Sequence, residues 1–378
     1  MKGCRMRVLM ISKACVTASY RSKLVHLNKF DDVSMGLVVP DRWDNLPYEA
    51  DPTDTTYPIY KTPIPFNGRN HFHWYPELPR YIADFKPDLI HIDEEHYSYV
   101  TARAAAVGRR MGIATIFFTW QNIYKDYPWP FSAIERGVFK RTRAAIAGNR
   151  EAESVLRQKG YDKPVVVIPQ FGTDLALFGP RNRQAIRQSY GVRTDFTVGY
   201  VGRLIEEKGI GDLLQAMAPI MHEHPSVGLV IVGRGPYQDA VKAWQQREKL
   251  ADRVVDVPWV SSDAMGDVMN LMDVLVLPSH TTSRWKEQFG RVLTEAMACS
   301  DVVVGSDSGE IPHVIGDAGL VYHEGDASAL EQSLRTLQSD PALFDELARR
   351  GIRRVADHFT QEAIAQKTHD FYRSVLGG

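Results

Sequence analysis

Short apolar runs rich in β-branched residues alternate along the chain with stretches whose apolar positions fall at helical spacing. RVLMIS (7–12), MGLVVP (35–40), PDLIHID (87–93), IATIFFTW (113–120), AAIAGN (144–149) and PVVVIPQF (164–171) form a first series. Each run is short and bounded by polar or helix-patterned sequence, which predicts buried strands of a parallel sheet. After a polar stretch at 179–195, a second series opens with FTVGYVGR (196–203). It continues through VGLVIVGRG (227–235), RVVDVPWV (253–260), DVLVLPS (273–279), DVVVGSD (301–307) and AGLVYHE (318–324). Between its first two strands, KGIGDLLQAMAPIMHEH (208–224) reads as a helix. Two consecutive βα series with a break near 175–195 predict an α/β protein of two doubly wound domains.

Composition narrows the class without naming a function. The 378 residues are 44% hydrophobic and 24% charged, as in ordinary folded proteins, so disorder and low-complexity classes are excluded. The formal net charge of -1 excludes a dedicated nucleic-acid binder. That balance hides two unlike halves. Residues 1–180 hold 24 Lys+Arg against 19 Asp+Glu, and residues 181–378 hold 21 against 27. Segment 101–150 alone carries nine basic and two acidic residues. Three scattered cysteines, Cys4, Cys15 and Cys299, make neither a disulfide framework nor a zinc site. The apolar run Val8–Ile11 is too short for a signal peptide, and no stretch approaches the ~20 apolar residues of a membrane helix. A cytoplasmic protein is expected. Its basic first half is the place for peripheral contact with an acidic acceptor or an anionic membrane face.

The densest chemistry lies in 273–325. Glu287 and Glu295 stand eight positions apart in EQFGRVLTEAMA. On one continuous helix that is an advance of about 12 Å. Gly290 predicts that the helix begins only near it, leaving Glu287 in the preceding loop. Free N–H groups at such a helix start form an anion site, suited to phosphates. A carboxylate on each side would accept hydrogen bonds from sugar and ribose hydroxyls. In GYVGRLIEEKG (199–209), Arg203 and Lys208 follow a strand end. A guanidinium fork and an ammonium point charge aimed at a diphosphate would stabilise its departure. No metal-ligand cluster is evident, so no metal is expected. GRGPYQ (233–238) lacks the third glycine of a dinucleotide fingerprint.

These residues together resemble glycosyltransferase family 4, the retaining nucleotide-sugar transferases of GT-B fold. The resemblance is carried by VGRLIEEKG, IVGRGP, VLPS, EQFGRVLTEAMA and GSDSGEIPHVIGDAGLVY, and covers 195–325. It implies two Rossmann-like domains facing a central cleft. The N-terminal acceptor-binding domain would span 1–177, with 362–378 crossing back onto it. The donor-binding domain would span 178–361. Carried over residue by residue, it implies that Glu287 holds donor-sugar hydroxyls. The Phe289 and Gly290 backbone amides would lie beside that sugar, Leu293 would approach the diphosphate, and Glu295 would bind ribose. Arg203 and Lys208 would grip the diphosphate, and the base would lie against Trp259 and Val260. The implied reaction moves a hexose from a UDP or GDP sugar to a hydroxyl of a saccharide or glycolipid. The nucleotide sugar is a co-substrate, and no cofactor is needed.

The first half departs from the family pattern. The loop SKACVTASYRSK (12–23) lacks the glycine pair common there, and offers Lys13, Tyr20, Arg21 and Lys23 to an acceptor or phosphate. Thr119-Trp120-Gln121-Asn122 stands where the family often has a histidine, so Gln121 or Asn122 is the expected substitute. HIDEEHYSY (91–99) ends another strand and places Glu95 and His96 among the acceptor candidates. Ser300-Asp301 replaces a usual glycine and proline, and is expected to alter only a turn. A nucleotide-sugar 2-epimerase, a non-catalytic sugar-nucleotide binder and, more remotely, a Rossmann oxidoreductase are the alternatives.

Overall fold

A computed structural model describes residues 5–258 and 260–377. Its contacts divide the chain into two units, Met1–Gly172 with Gln361–Gly378, and Thr173–Thr360.

The first unit is built on strands β1 (Met6–Ile11), β2 (Val33–Pro40), β5 (Ile59–Thr62), β6 (Leu89–Ile92), β7 (Ala114–Thr119), β8 (Ala144–Ala147) and β9 (Val165–Val167). They form a parallel sheet in the order β5-β2-β1-β6-β7-β8-β9. A small antiparallel hairpin, β3 (Arg42–Trp43) and β4 (Leu46–Pro47), stands apart from it. Side chains alternate between faces along each strand. Val8 and Met10 enter one core layer, Leu9 and Ile11 the other. Both faces are therefore dry, which explains the near-continuous apolar runs. The edge strand β5 escaped the pattern because two of its four residues, Lys61 and Thr62, are polar.

Helix Gln361–Gly377 belongs to this unit. Ile364, Ala365, Phe371, Tyr372 and Val375 enter the same layer as Val8 and Met10. His91 Nδ1 lies 2.6 Å from the Tyr372 hydroxyl. Burial holds the His91 imidazole well below its ordinary pKa, so the ring shares that hydrogen bond in its neutral form. The unit boundaries fall at Gly172 and Gln361 rather than at 177 and 362. The reason is local: Thr173 N donates to Phe359 O at 2.7 Å, and Phe178 is buried in the second unit's core.

The second unit carries β10 (Phe196–Val201), β11 (Val227–Val232), β12 (Val254–Val257), β13 (Val274–Leu277), β14 (Val302–Ser306) and β15 (Gly319–Tyr322). Its parallel order is β12-β11-β10-β13-β14-β15. The polar stretch 179–195 contains a helix, Arg183–Tyr190, capped by the Asn182 side chain. In this sheet the strand order reverses between β10 and β13, and ligands of such sheets bind outside the carboxyl ends at that point. Arg203 follows β10 and Ser279 follows β13, so the chemistry noted in the sequence sits at the switch point.

Candidate donor-phosphate site

The loops after β10 and β13 meet backbone to backbone. Gly209, at φ +65°, has no room for a side chain: a Cβ there would stand 1.7 Å from Pro278 O. His280 N donates to Glu207 O at 2.8 Å across the same contact. This approach delivers Lys208, from the turn Glu206–Lys208, to the loop after β13. The Lys208 ammonium lies 2.5 Å from Glu287 Oε2, and Ser279 Oγ donates to that oxygen at 3.0 Å. Lys208 also stands 4.8 Å from the centroid of the Trp285 ring. Glu287 is held from behind as well. Its carbonyl accepts from Glu310 N at 3.1 Å, and a Cβ on Gly309 (φ +56°) would meet that carbonyl oxygen at 2.1 Å.

Arg203 is exposed at the end of β10, and among the described residues its guanidinium has no partner. The buried Tyr200 hydroxyl donates to Arg203 O at 2.7 Å, fixing the backbone from which it projects. Helix Arg291–Ala298 starts after Gly290, which is left-handed, and no side chain caps it. Glu287 thus lies in the loop ahead of that helix start, as the spacing argument requires. Val260 borders a cleft of about 280 Å³ together with Val201, Gly202, Arg203, Gly233 and Met265. Trp259, the other expected base contact, lies outside the described residues.

Three carried-over positions also have side chains engaged within the second unit. The Leu293 side chain is fully buried in the core, and its N–H donates to Gly290 O at 2.9 Å. Phe289 turns an edge to Phe359, with centroids 5.6 Å apart. Glu295 is paired with Arg291 one turn back at 2.7 Å. Burial pushes the Glu295 carboxyl up, and Arg291 pulls it down. Ser300-Asp301 does more than alter a turn. Ser300 is left-handed at φ +71°, and the fully buried Asp301 forms an ion pair with Arg183 of the helix Arg183–Tyr190. Sequence reading passed over Ser279, Trp285 and Tyr200. VLPS and the Trp285 position beside Glu287 carried the signal for two of them; Tyr200 looked like any core tyrosine.

In the first unit, several acceptor candidates are occupied by the protein itself. Arg21 is 1% exposed and donates to the Cys15 and Glu49 carbonyls, with Asp54 at 3.1 Å. His96 is fully buried, stacked on Phe139 and 3.0 Å from Glu135. Arg21 and His96, expected as acceptor contacts, thus lie inside the first unit against their own neighbours. Glu95 accepts from Thr119 Oγ1 at 2.6 Å and Trp120 N at 2.8 Å. Lys13 is bound to Glu94. Tyr20 stacks on Phe171, centroids 4.2 Å apart. Gln121 donates to Ile123 O at 3.1 Å while its buried Oε1 lacks a partner. Asn122 reaches Glu151 at 3.4 Å. Trp120 donates to Gln170 at 2.8 Å, and Gln170 donates to Asp93 at 2.9 Å. Among the described residues, no three His, Cys, Asp or Glu side chains are placed to hold a metal ion, and no helix is long and apolar enough to cross a membrane.

Comparison with known proteins identifies the fold and the family. Over its full length the chain is similar in fold to a sucrose-phosphate synthase from Thermosynechococcus elongatus: TM-score 0.70, 22% identity, covering 99% of this chain and 100% of that one. Anabaena HepE, solved in complex with UDP, matches with TM-score 0.73 and 18% identity over 98% of this chain and 100% of that one. These likenesses are of fold, and the fold is GT-B. By sequence, a D-inositol 3-phosphate glycosyltransferase of Segniliparus rotundus is 30% identical over 219 residues, 56% of this chain and 47% of that protein. A capsular polysaccharide biosynthesis glycosyltransferase, CapM of Staphylococcus aureus, is 28% identical over 185 residues, 48% of this chain and 47% of that protein. The chain thus spans about half the length of these curated relatives. The family model described as glycosyl transferases group 1 matches residues 182–354, and that described as glycosyltransferase family 4 matches residues 31–171. With both units matched in turn, the chain belongs to glycosyltransferase family 4.

Proposed function

We propose that this protein is a retaining glycosyltransferase that moves a hexose from a nucleoside-diphosphate sugar to a hydroxyl of a saccharide or glycolipid. The observation that carries the reading is the meeting of Lys208, Glu287 and Ser279 at the switch point of the second sheet, beside the exposed Arg203. The cations are matched to a pyrophosphate, and the carboxylate to sugar hydroxyls. UDP is the first donor base to test, since HepE is a fold neighbour solved with UDP and with UDP-glucose; GDP follows.

In the proposed reaction the bond between the anomeric carbon and the diphosphate oxygen breaks. The acceptor oxygen bonds to that carbon on the same face, and its proton passes to the leaving diphosphate. No protein nucleophile takes part. Arg203 and Lys208 stabilise the charge on the leaving group, so the reaction is proposed to need no metal. The setting is cytoplasmic assembly of a polysaccharide or glycolipid, with the basic first half against an anionic surface. Nine basic residues against two acidic ones in 101–150, and Trp129 at 80% exposure, support that placement.

Thermal-shift screening against UDP-, GDP- and ADP-sugars identifies the donor, because a bound donor raises Tm by mass action. With that donor, Glu287→Ala is expected to lower turnover by about 100-fold or more while the far-UV spectrum stays native. Near-wild-type transfer by this variant would count decisively against the assignment. Donor consumption without an acceptor product would instead favour a nucleotide-sugar epimerase.

A further inference from the structure

We propose that Glu287 makes the second unit's site prefer a nucleotide sugar over the bare nucleoside diphosphate, by competing with the terminal phosphate for Lys208. The inference rests on the donor-site reading above and adds a discrimination to it.

Lys208 is already neutralised before any ligand arrives. Its ammonium is 2.5 Å from Glu287 Oε2 and faces the Trp285 ring at 4.8 Å. The pair is sheltered, with side-chain exposures of 18% for Lys208 and 11% for Glu287. Shelter makes each charge felt more strongly than on an open surface. Ser279, fully buried, donates to the same Oε2. Among the described residues, both side-chain bonds of the carboxylate fall on Oε2, which leaves Oε1 to accept from a ligand.

The two nucleotide forms meet this carboxylate differently. A nucleotide sugar brings hydroxyl donors to Oε1, and its sugar-esterified phosphate carries one negative charge fewer than a free terminal phosphate. Once the sugar has left and the transferred proton has gone to solvent, the diphosphate carries a further negative charge and has lost those donors. The terminal phosphate then lies near an unshielded carboxylate and must draw Lys208 away from it. Glu287 therefore favours the donor twice, by attraction to its hydroxyls and by repulsion of the product. Release of the product is correspondingly easier.

The test is calorimetric titration of the full chain with UDP, GDP and ADP, and with UDP-glucose, GDP-mannose and ADP-glucose. Relative to wild type, Glu287→Gln is expected to bind the recognised nucleoside diphosphate about fivefold more tightly or better. The matching nucleotide sugar should show less than about a twofold gain, or a loss. Lys208→Gln should weaken both forms. Glu287→Asp, whose shorter arm withdraws the carboxylate from Lys208, serves if the Gln variant does not fold, and should shift the diphosphate in the same direction. Diphosphate affinity unchanged or weakened by these Glu287 substitutions would overturn this inference while leaving the donor site in place. Binding of none of the six nucleotides by wild type would overturn the donor-site reading and this inference with it.

Discussion

Glu94 shows how single residues in the first unit are committed to folding. Its side chain is 1% exposed, within an ion pair to Lys13 and 3.6 Å from His73. Burial works against its ionisation, yet Lys13 and His73 outweigh burial and bring the carboxyl from 4.5 down to about 2. A depressed carboxylate pKa stabilises the fold above the unfolded value and loses that contribution as pH falls through the folded value. The window here runs from about pH 4.5 down to about pH 2, and the contribution is on the order of 3 kcal/mol. Glu94→Gln should therefore destabilise the protein by about that amount at pH 7, with the gap to wild type closing toward pH 2. Urea unfolding at pH 7, 4 and 2.5 measures it; a gap that stays constant across that range would remove Glu94 as its source. The sequence displayed Asp93, Glu94, Glu95 and His96 as one acidic cluster at a strand end. Only the folded chain shows that Glu95 binds the backbone of Trp120, that His96 is a core ring, and that Glu94 serves Lys13. Sequence spacing carries no record of a partner tens of residues away.

At the scale of elements, the candidate site of the second unit is a product of loops seated on strand ends. The turn Glu206–Lys208 is useful only because Gly209 lets it touch Pro278. Gly209→Ala adds a Cβ into a carbonyl oxygen and strains a left-handed backbone together. A stability loss of about 2 kcal/mol or more is expected, along with weaker nucleotide binding as Lys208 is displaced. Thermal unfolding with and without UDP checks both effects, and a variant as stable as wild type would show that the two loops can separate freely. The helix start after Gly290 was legible beforehand because glycine and the Glu-x7-Glu spacing are local features. The burial of Leu293 was not, since helical phase alone does not tell which face is turned to the core.

At the scale of the whole molecule, the chain returns to its first unit at Gln361 after completing the second. Helix Gln361–Gly377 places Ile364, Phe371, Tyr372 and Val375 in that unit's core. Burial of such side chains is worth roughly 1.5–3 kcal/mol each, so together they rival the 5–15 kcal/mol net stability of a typical domain. Ending the chain at Thr360 should therefore unfold the first unit while the second keeps its structure. Hydrogen exchange is the readout: amides of β1 and β6 should lose protection and those of β10 and β13 should keep it. Equal protection in both units after truncation would deny the helix this role.

What the sequence determined by itself was set by short-range rules. Alternating apolar runs fixed two parallel sheets, because a strand buried on both faces must be apolar throughout. Glycine positions and the spacing of Glu287 from Glu295 placed the helix start. Charge counting exposed the basic and acidic halves behind a net charge of -1. What only the tertiary structure decided was partnership. It joined Lys208 to Glu287 across 79 positions, joined His91 to Tyr372 across 281, and withdrew Arg21 and His96 into the interior. Those contacts depend on strand order and loop approach, and a charge or a ring takes its role from whatever the fold brings against it.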